Sequence, residues 1–234
     1  MIKNDELQSL QNGHRARLRK KFLDGQLADY EILELLLTYS IPRRDVRILA
    51  RQLYKKYASI PNLLAEPIES LMENEGIKEN TAVLFKVIHK ILELEYKSVL
   101  VKGPIFHDVA SLIGYCRTLV AGKQVEEFHV LYLDSQNGLI KETLHSTGTR
   151  DWASVYVREV VKQALDLNAQ GVLLLHNHPT PHVSFSKDDI EITKTLELAL
   201  SQVDITLHDH LLVSGDLFYS ARNLGLLDKP QQSK

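Results

Sequence analysis

Over the first hundred residues apolar side chains recur at intervals of three and four, and strand-like alternation is absent, a period that predicts a run of helices. Ile32, Leu33, Leu36 and Leu37 follow Asp29, a candidate cap. Val46, Leu49, Leu53, Tyr54 and Tyr57 form the next face after Ile41-Pro42, where the proline stops the preceding helix. Two short pieces follow, around Pro61 to Ala65 and Pro67 to Asn74. Gly76-Ile77-Lys78 then turns the chain, and Asn80 is placed to cap a long helix carrying Ala82, Val83, Phe85, Val87, Ile88, Ile91 and Leu92.

After Gly103-Pro104 the pattern changes. A helix is predicted from about Asp108 to Val120, then strands over Phe128–Asp134 and Leu139–Thr147, joined by the turn Ser135-Gln136-Asn137-Gly138. Val155 to Leu167 has helical period, and the apolar run from Gly171 to His176 reads as a buried central strand. A helix over Ser186–Ser201 and strands over Ile205–Val213 and Leu217–Ser220 complete the chain. The expectation is an α+β protein: a helical domain over residues 1–102, then an α/β domain over 103–234 with a mixed, mainly antiparallel sheet flanked by helices.

Composition narrows the chemistry. Of 234 residues 44% are apolar and 25% charged, as in ordinary globular protein. No apolar run is long enough to span a bilayer and Met1 to Gly13 lacks a signal-like stretch, so no membrane contact and a cytoplasmic location are expected. The net charge of −2 divides unevenly: residues 1–102 hold 17 basic and 14 acidic side chains, the remainder 11 and 16. A front half this mildly basic permits weak DNA contact and falls short of a dedicated basic stripe. Cys116 is the sole cysteine, which excludes an internal disulfide and any multi-thiolate zinc site, so a metal would have to be held by histidines and carboxylates.

The informative stretch is His176-Asn177-His178-Pro179 through Ser186 to Asp189. In an extended segment residues two apart point the same way, so His176 and His178 present two imidazoles to one side. Pro179 and Pro181 stiffen the connection, and a helix begins at Ser186. Asp189, in its first turn, can swing back as a third ligand, leaving a tetrahedral zinc one open position for water. Ser-x-x-Asp is equally a capping-box arrangement, in which the two side chains satisfy backbone N–H groups. A second cluster, His208-Asp209-His210, places two histidines on what period two makes one strand face. Asp209 is the candidate there to orient a ligand imidazole.

The spacing His-x-His-x7-Ser-x2-Asp is similar to that of the JAMM (MPN-type) zinc metallopeptidases. The wider text resembles the bacterial RadC-like branch: Glu126-Glu127-Phe128-His129-Val130-Leu131-Tyr132-Leu133-Asp134-Ser135-Gln136-Asn137, Gly148-Thr149, Arg158-Glu159-Val160, Asn168-Ala169, Asp209-His210 and Gly225-Leu226-Leu227. The resemblance covers most of residues 105–227. It implies one zinc per chain on His176, His178 and Asp189, with Glu126 as general base and Ser186 as hydrogen-bond donor to the oxyanion. Glu127 is the alternative base, since a shift of one residue reverses a strand side chain's facing. The implied activity is hydrolysis of a peptide or isopeptide bond in a protein or peptide substrate. The other function carried by the resemblance is a DNA-repair-associated or mobile-element accessory module, binding DNA or partner proteins with a non-catalytic zinc domain.

This chain departs from the family at Thr180-Pro181-His182-Val183, where Ser-Gly-Asp-Pro is usual, and at Val157, where proline is usual. The front half looks like the helix-hairpin-helix region that accompanies this domain, with Gly76-Ile77-Lys78 in place of the usual Gly-Ile-Gly.

Overall fold

The structure, a computed structural model, describes residues 4–148, 155–179 and 184–227. The chain divides into two compact units, residues 1–89 and 90–234, and the division falls inside one long helix.

The first unit is helical: α1 (Asn4–Leu23), α2 (Asp29–Ser40), α3 (Arg47–Tyr57), α4 (Ile60–Ala65), α5 (Ile68–Met72) and the start of α6 (Glu79–Lys102). Of the positions that the three-four spacing marks, Leu33, Leu37, Val46, Leu53, Ala82 and Phe85 are buried, whereas Ile32, Val83 and Val87 are exposed. Two expected caps sit differently. Asp29 lies in the first turn of α2, where the cap is Ala28, its N–H held by the Glu31 carboxylate at 3.1 Å. Asn80 is likewise inside α6, whose first amides, from Thr81 and Ala82, bond to the Lys78 carbonyl. Gly76, at the turn before α6, has φ +93°, a conformation that glycine takes without steric cost.

The second unit carries a five-stranded sheet of order β2-β1-β3-β4-β5, built from β1 (Glu127–Leu133), β2 (Leu139–Thr147), β3 (Gly171–Asn177), β4 (Thr206–Ser214) and β5 (Leu217–Ser220). All neighbouring pairs are antiparallel except β3 with β4, whose parallel pairing requires a crossover, supplied by α9 (Lys187–Ser201). The expected α+β architecture is thus observed. β1 and β3 are buried at every residue because helices cover both faces of the sheet. On one face Val160 and Ala164 of α8 (Val155–Asp166) and Ile192 and Leu196 of α9 pack on Phe128, Val130, Tyr132, Val172 and Leu174. On the other, Leu112, Tyr115 and Cys116 of α7 (Val109–Val120) pack on Leu131, Leu133, Leu173 and Leu175. Each fully buried Val or Leu side chain among these contributes about 1.5–3 kcal/mol, so much of the unit's apolar stabilisation gathers at the middle of the sheet.

One irregularity matters for the site. The β3–β4 register shifts between Val172 and Leu173, which pair with Leu207 and Asp209, so His208 sits in a bulge. Period two fails there, and His208 and His210 do not share a face as expected. His208 lies against the Phe106 ring at 5.0 Å, while His210 packs against His176 and Phe128. The bulge also brings His208 over Gly171, where a Cβ would strike its ring. Among the described residues no helix is long and apolar enough to cross a membrane.

Candidate metal centre

The site lies where β3 ends and α9 begins, at the C-terminal edge of the parallel strand pair, where open α/β sheets place their ligand crevices. His176 is the penultimate residue of β3. The ladder to β4 continues one step past the strand, since His178 N–H bonds to the Val213 carbonyl at 3.0 Å. His178 is therefore still extended and its ring falls beside that of His176. Asp189 stands in the first turn of α9, where the helix dipole favours a carboxylate. All three side chains are buried.

Their donor atoms form a small triangle. His176 Nε2 and His178 Nε2 are 3.1 Å apart, and each is 3.4 Å from Asp189 Oδ2. Zinc held at about 2.0–2.1 Å from nitrogen and oxygen ligands makes a tetrahedron with edges of about 3.3–3.4 Å. The three residues thus fit one face of a zinc coordination shell, and among the described residues this is the one group of histidines and acids close enough to hold a metal ion. Burial alone would raise the Asp189 pKa; the neighbouring His176 and His178 imidazoles and the Ser186 N–H outweigh it and hold the carboxyl well below its usual range, ionised as a ligand must be.

The capping box and the ligand arrangement, alternatives in the sequence, coexist. Asp189 Oδ2 accepts the Ser186 N–H at 2.7 Å, and Ser186 Oγ accepts the Asp189 N–H at 3.1 Å. The reciprocal bonds fix the carboxylate that faces the histidines. Ser186 itself is exposed, and with its oxygen accepting, its O–H remains a donor.

Behind the triangle is a buried relay that the sequence assigned to the wrong residue. Asp209 does not reach His176; it accepts hydrogen bonds from Ser220 and from the backbone of His210 and Arg222. His210 Nε2 instead lies 2.8 Å from His176 Nδ1, and His210 Nδ1 lies 2.5 Å from Thr193 Oγ1, which donates to the Asp189 carbonyl. With His176 Nε2 kept free for a metal, its proton is on Nδ1. The relay then has one direction, from His176 through His210 and Thr193 to the backbone of the third ligand. Burial first, and the neighbouring His176 imidazole next, push the His210 pKa well below its ordinary value, so its accepting lone pair persists. Phe185 closes the site against both rings, 5.6 Å from His176 and 5.2 Å from His210.

Register separates the two candidate bases. Phe128 pairs with His176 across β1 and β3, so alternation puts Glu127 on the face away from the metal site, and the same period continued one residue ahead of β1 gives Glu126 the face of Phe128. There the buried Glu127 carboxylate joins a row of polar contacts, 3.0 Å from Lys123 Nζ and 3.1 Å from His129 Nε2, whose Nδ1 lies 2.6 Å from Glu142. Glu126 is half-buried, and among the described residues its carboxylate has no hydrogen-bonding partner. The departing loop Thr180-Pro181-His182-Val183, like Thr149, lies outside the described residues.

An α/β domain with two histidines and an aspartate gathered at the end of its central strand defines a protein class able to hold one divalent metal ion between paired imidazoles and a carboxylate. Within that class the chain belongs to the RadC-like JAB domain family, which matches residues 106–226. The UPF0758 protein SPO0054 of Ruegeria pomeroyi is similar to it, with 37% identity over 217 residues, covering 92% of this chain and 97% of that protein.

Proposed function

We propose that this protein is a zinc-dependent hydrolase of the JAMM type that cleaves a peptide or isopeptide bond with a metal-activated water. The observation that carries the reading is the triangle of His176, His178 and Asp189, with its edges of 3.1, 3.4 and 3.4 Å. Three protein ligands are the number that a catalytic zinc uses, because the fourth position must be open to water or substrate. Zinc held there supplies Lewis acidity and lowers the pKa of a coordinated water to about 7.

The chain's own residues supply the rest. Glu126 takes the proton of the attacking water and returns it to the leaving amine, a role suited to a carboxylate that has no partner among the described residues and that alternation carries to the face of His176. Glu127, already engaged by Lys123 and His129, has no comparable freedom. Ser186 donates its O–H to the oxygen of the scissile carbonyl as negative charge develops there, a contribution of about 3–4 kcal/mol where such donors have been removed from other enzymes. Phe185 and the buried relay stand behind the two imidazoles, and Ser186, paired with Asp189, is exposed.

Two measurements test the reading together. Metal analysis should find about one zinc per chain, lost in a His178→Ala variant, as a site with three protein ligands requires. A peptide-library screen with zinc-loaded protein should give cleavage that Glu126→Gln abolishes. A protein that takes up no zinc, or cleavage indifferent to Glu126→Gln, refutes it.

A further inference from the structure

Backbone pairing between β1 and β3 ends at Phe128 and His176, one step short of the residues that matter most. The chain ahead of β1 lies outside the apolar core: Lys123, Gln124 and Val125 are exposed, and Val125 retains 43% of its accessible surface. Glu126 nonetheless has its backbone held on both sides. The Asn177 side chain, itself buried, accepts the Glu127 N–H at 2.8 Å through Oδ1 and donates Nδ2–H to the Val125 carbonyl at 3.1 Å. Between those two bonds the Glu126 carbonyl accepts the Gly148 N–H at 2.8 Å. Three consecutive residues, 125 to 127, are thereby pinned, and only the side-chain torsions of Glu126 stay free.

Asn177 stands between His176 and His178, so the residue that grips the segment bearing the carboxylate is covalently attached to both histidines. Its amide has the donor and acceptor of a peptide group and adds one more rung to a ladder that has run out of backbone. From this geometry we infer that Asn177 is a positioning residue that fixes Glu126 relative to the metal ligands. The inference rests on the proposed role of Glu126. Asn177 touches neither substrate nor metal in this role; it sets the distance across which Glu126 exchanges a proton with water. A carboxylate displaced by about 1 Å is enough to lose a large part of such a contribution. Alanine at 177 removes both bonds, and aspartate keeps the acceptor for the Glu127 N–H while losing the donor to Val125.

The test uses the full chain loaded with cobalt(II), whose visible absorption reports the ligand field and follows deprotonation at the metal without any substrate. Absorption is titrated against pH for wild type, Glu126→Gln, Asn177→Ala and Asn177→Asp, with cobalt content measured for each. Glu126→Gln is expected to move the midpoint by about one pH unit, the scale on which a neighbouring charge acts. Asn177→Ala is expected to move it in the same direction with cobalt still at one per chain, and Asn177→Asp to fall between Asn177→Ala and wild type. Loss of stability alone would leave the profile of the loaded protein where it was. Wild-type profiles in both Asn177 variants, with Glu126→Gln displaced, overturn the inference and leave the role of Glu126 standing. An undisplaced Glu126→Gln profile overturns both. Loss of cobalt binding in Asn177→Ala and Asn177→Asp alike also overturns it, because Asn177 would then be supporting the ligands themselves.

Discussion

Removing the acceptor behind His176 should weaken metal binding without touching a ligand. In His210→Ala the Nδ1–H of His176 loses its partner at 2.8 Å in a place where His176 has no exposed surface through which bulk water could replace it. A buried donor left unpaired costs about 1–3 kcal/mol. Loss of an outer partner of a ligating histidine typically costs about 10- to 100-fold in affinity, which is about 1.4–2.7 kcal/mol. The two routes agree, so a zinc affinity lower by one to two orders of magnitude is expected for His210→Ala. His210→Gln, which can present an amide oxygen to the same N–H, should recover part of the loss. Competition against a chromophoric chelator at fixed pH gives the affinity, and a thermal melt of the metal-free protein, run alongside, separates loss of fold from loss of binding. Wild-type affinity in His210→Ala, in a setting where His178→Ala abolishes binding, would refute the relay.

Three further outcomes follow from the second unit. Burial, first among the causes, holds the pKa values of His145 and His208 below their ordinary value. The unfolded chain therefore takes up more protons than the folded one as pH falls through about 6.5, and the stability tied to these groups, complete above that pH, is lost below it. Denaturant midpoints of the metal-free protein should fall from neutral pH toward about pH 5.5; midpoints that stay flat or rise would contradict the burial of these rings. Burial also pushes the Cys116 thiol up to about 12, so native protein should resist a thiol-specific reagent at about pH 8 and react fully in denaturant, since only the thiolate attacks. In α7 a Cβ on Gly114 would lie 2.6 Å from the Tyr96 ring. Gly114→Ala should cost about 1–3 kcal/mol through overpacking; if Tyr96 instead swings aside, the helix-propensity gain of about 1 kcal/mol raises the melting temperature, which refutes the tight contact.

The metal triangle was legible in the sequence because everything that builds it is local. Extended backbone sets two imidazoles side by side at a spacing of two, and Ser186 starts a helix whose first turn contains Asp189. The apolar run before His176 announces a strand buried on both faces. Tertiary structure decided what surrounds the triangle, because those contacts depend on register between distant strands. The bulge at His208 breaks the period that would have paired it with His210, and so makes His210 rather than Asp209 the partner of a ligand 34 residues away. The pairing of Phe128 with His176 puts Glu127 on the sheet face away from the site, where Lys123 and His129 engage it. Asn177 reaches across 50 residues of sequence to hold the segment between them, a contact that no spacing along the chain encodes. Period and capping are properties of a few consecutive peptide units, whereas register is fixed only when the whole sheet packs and one face must be buried.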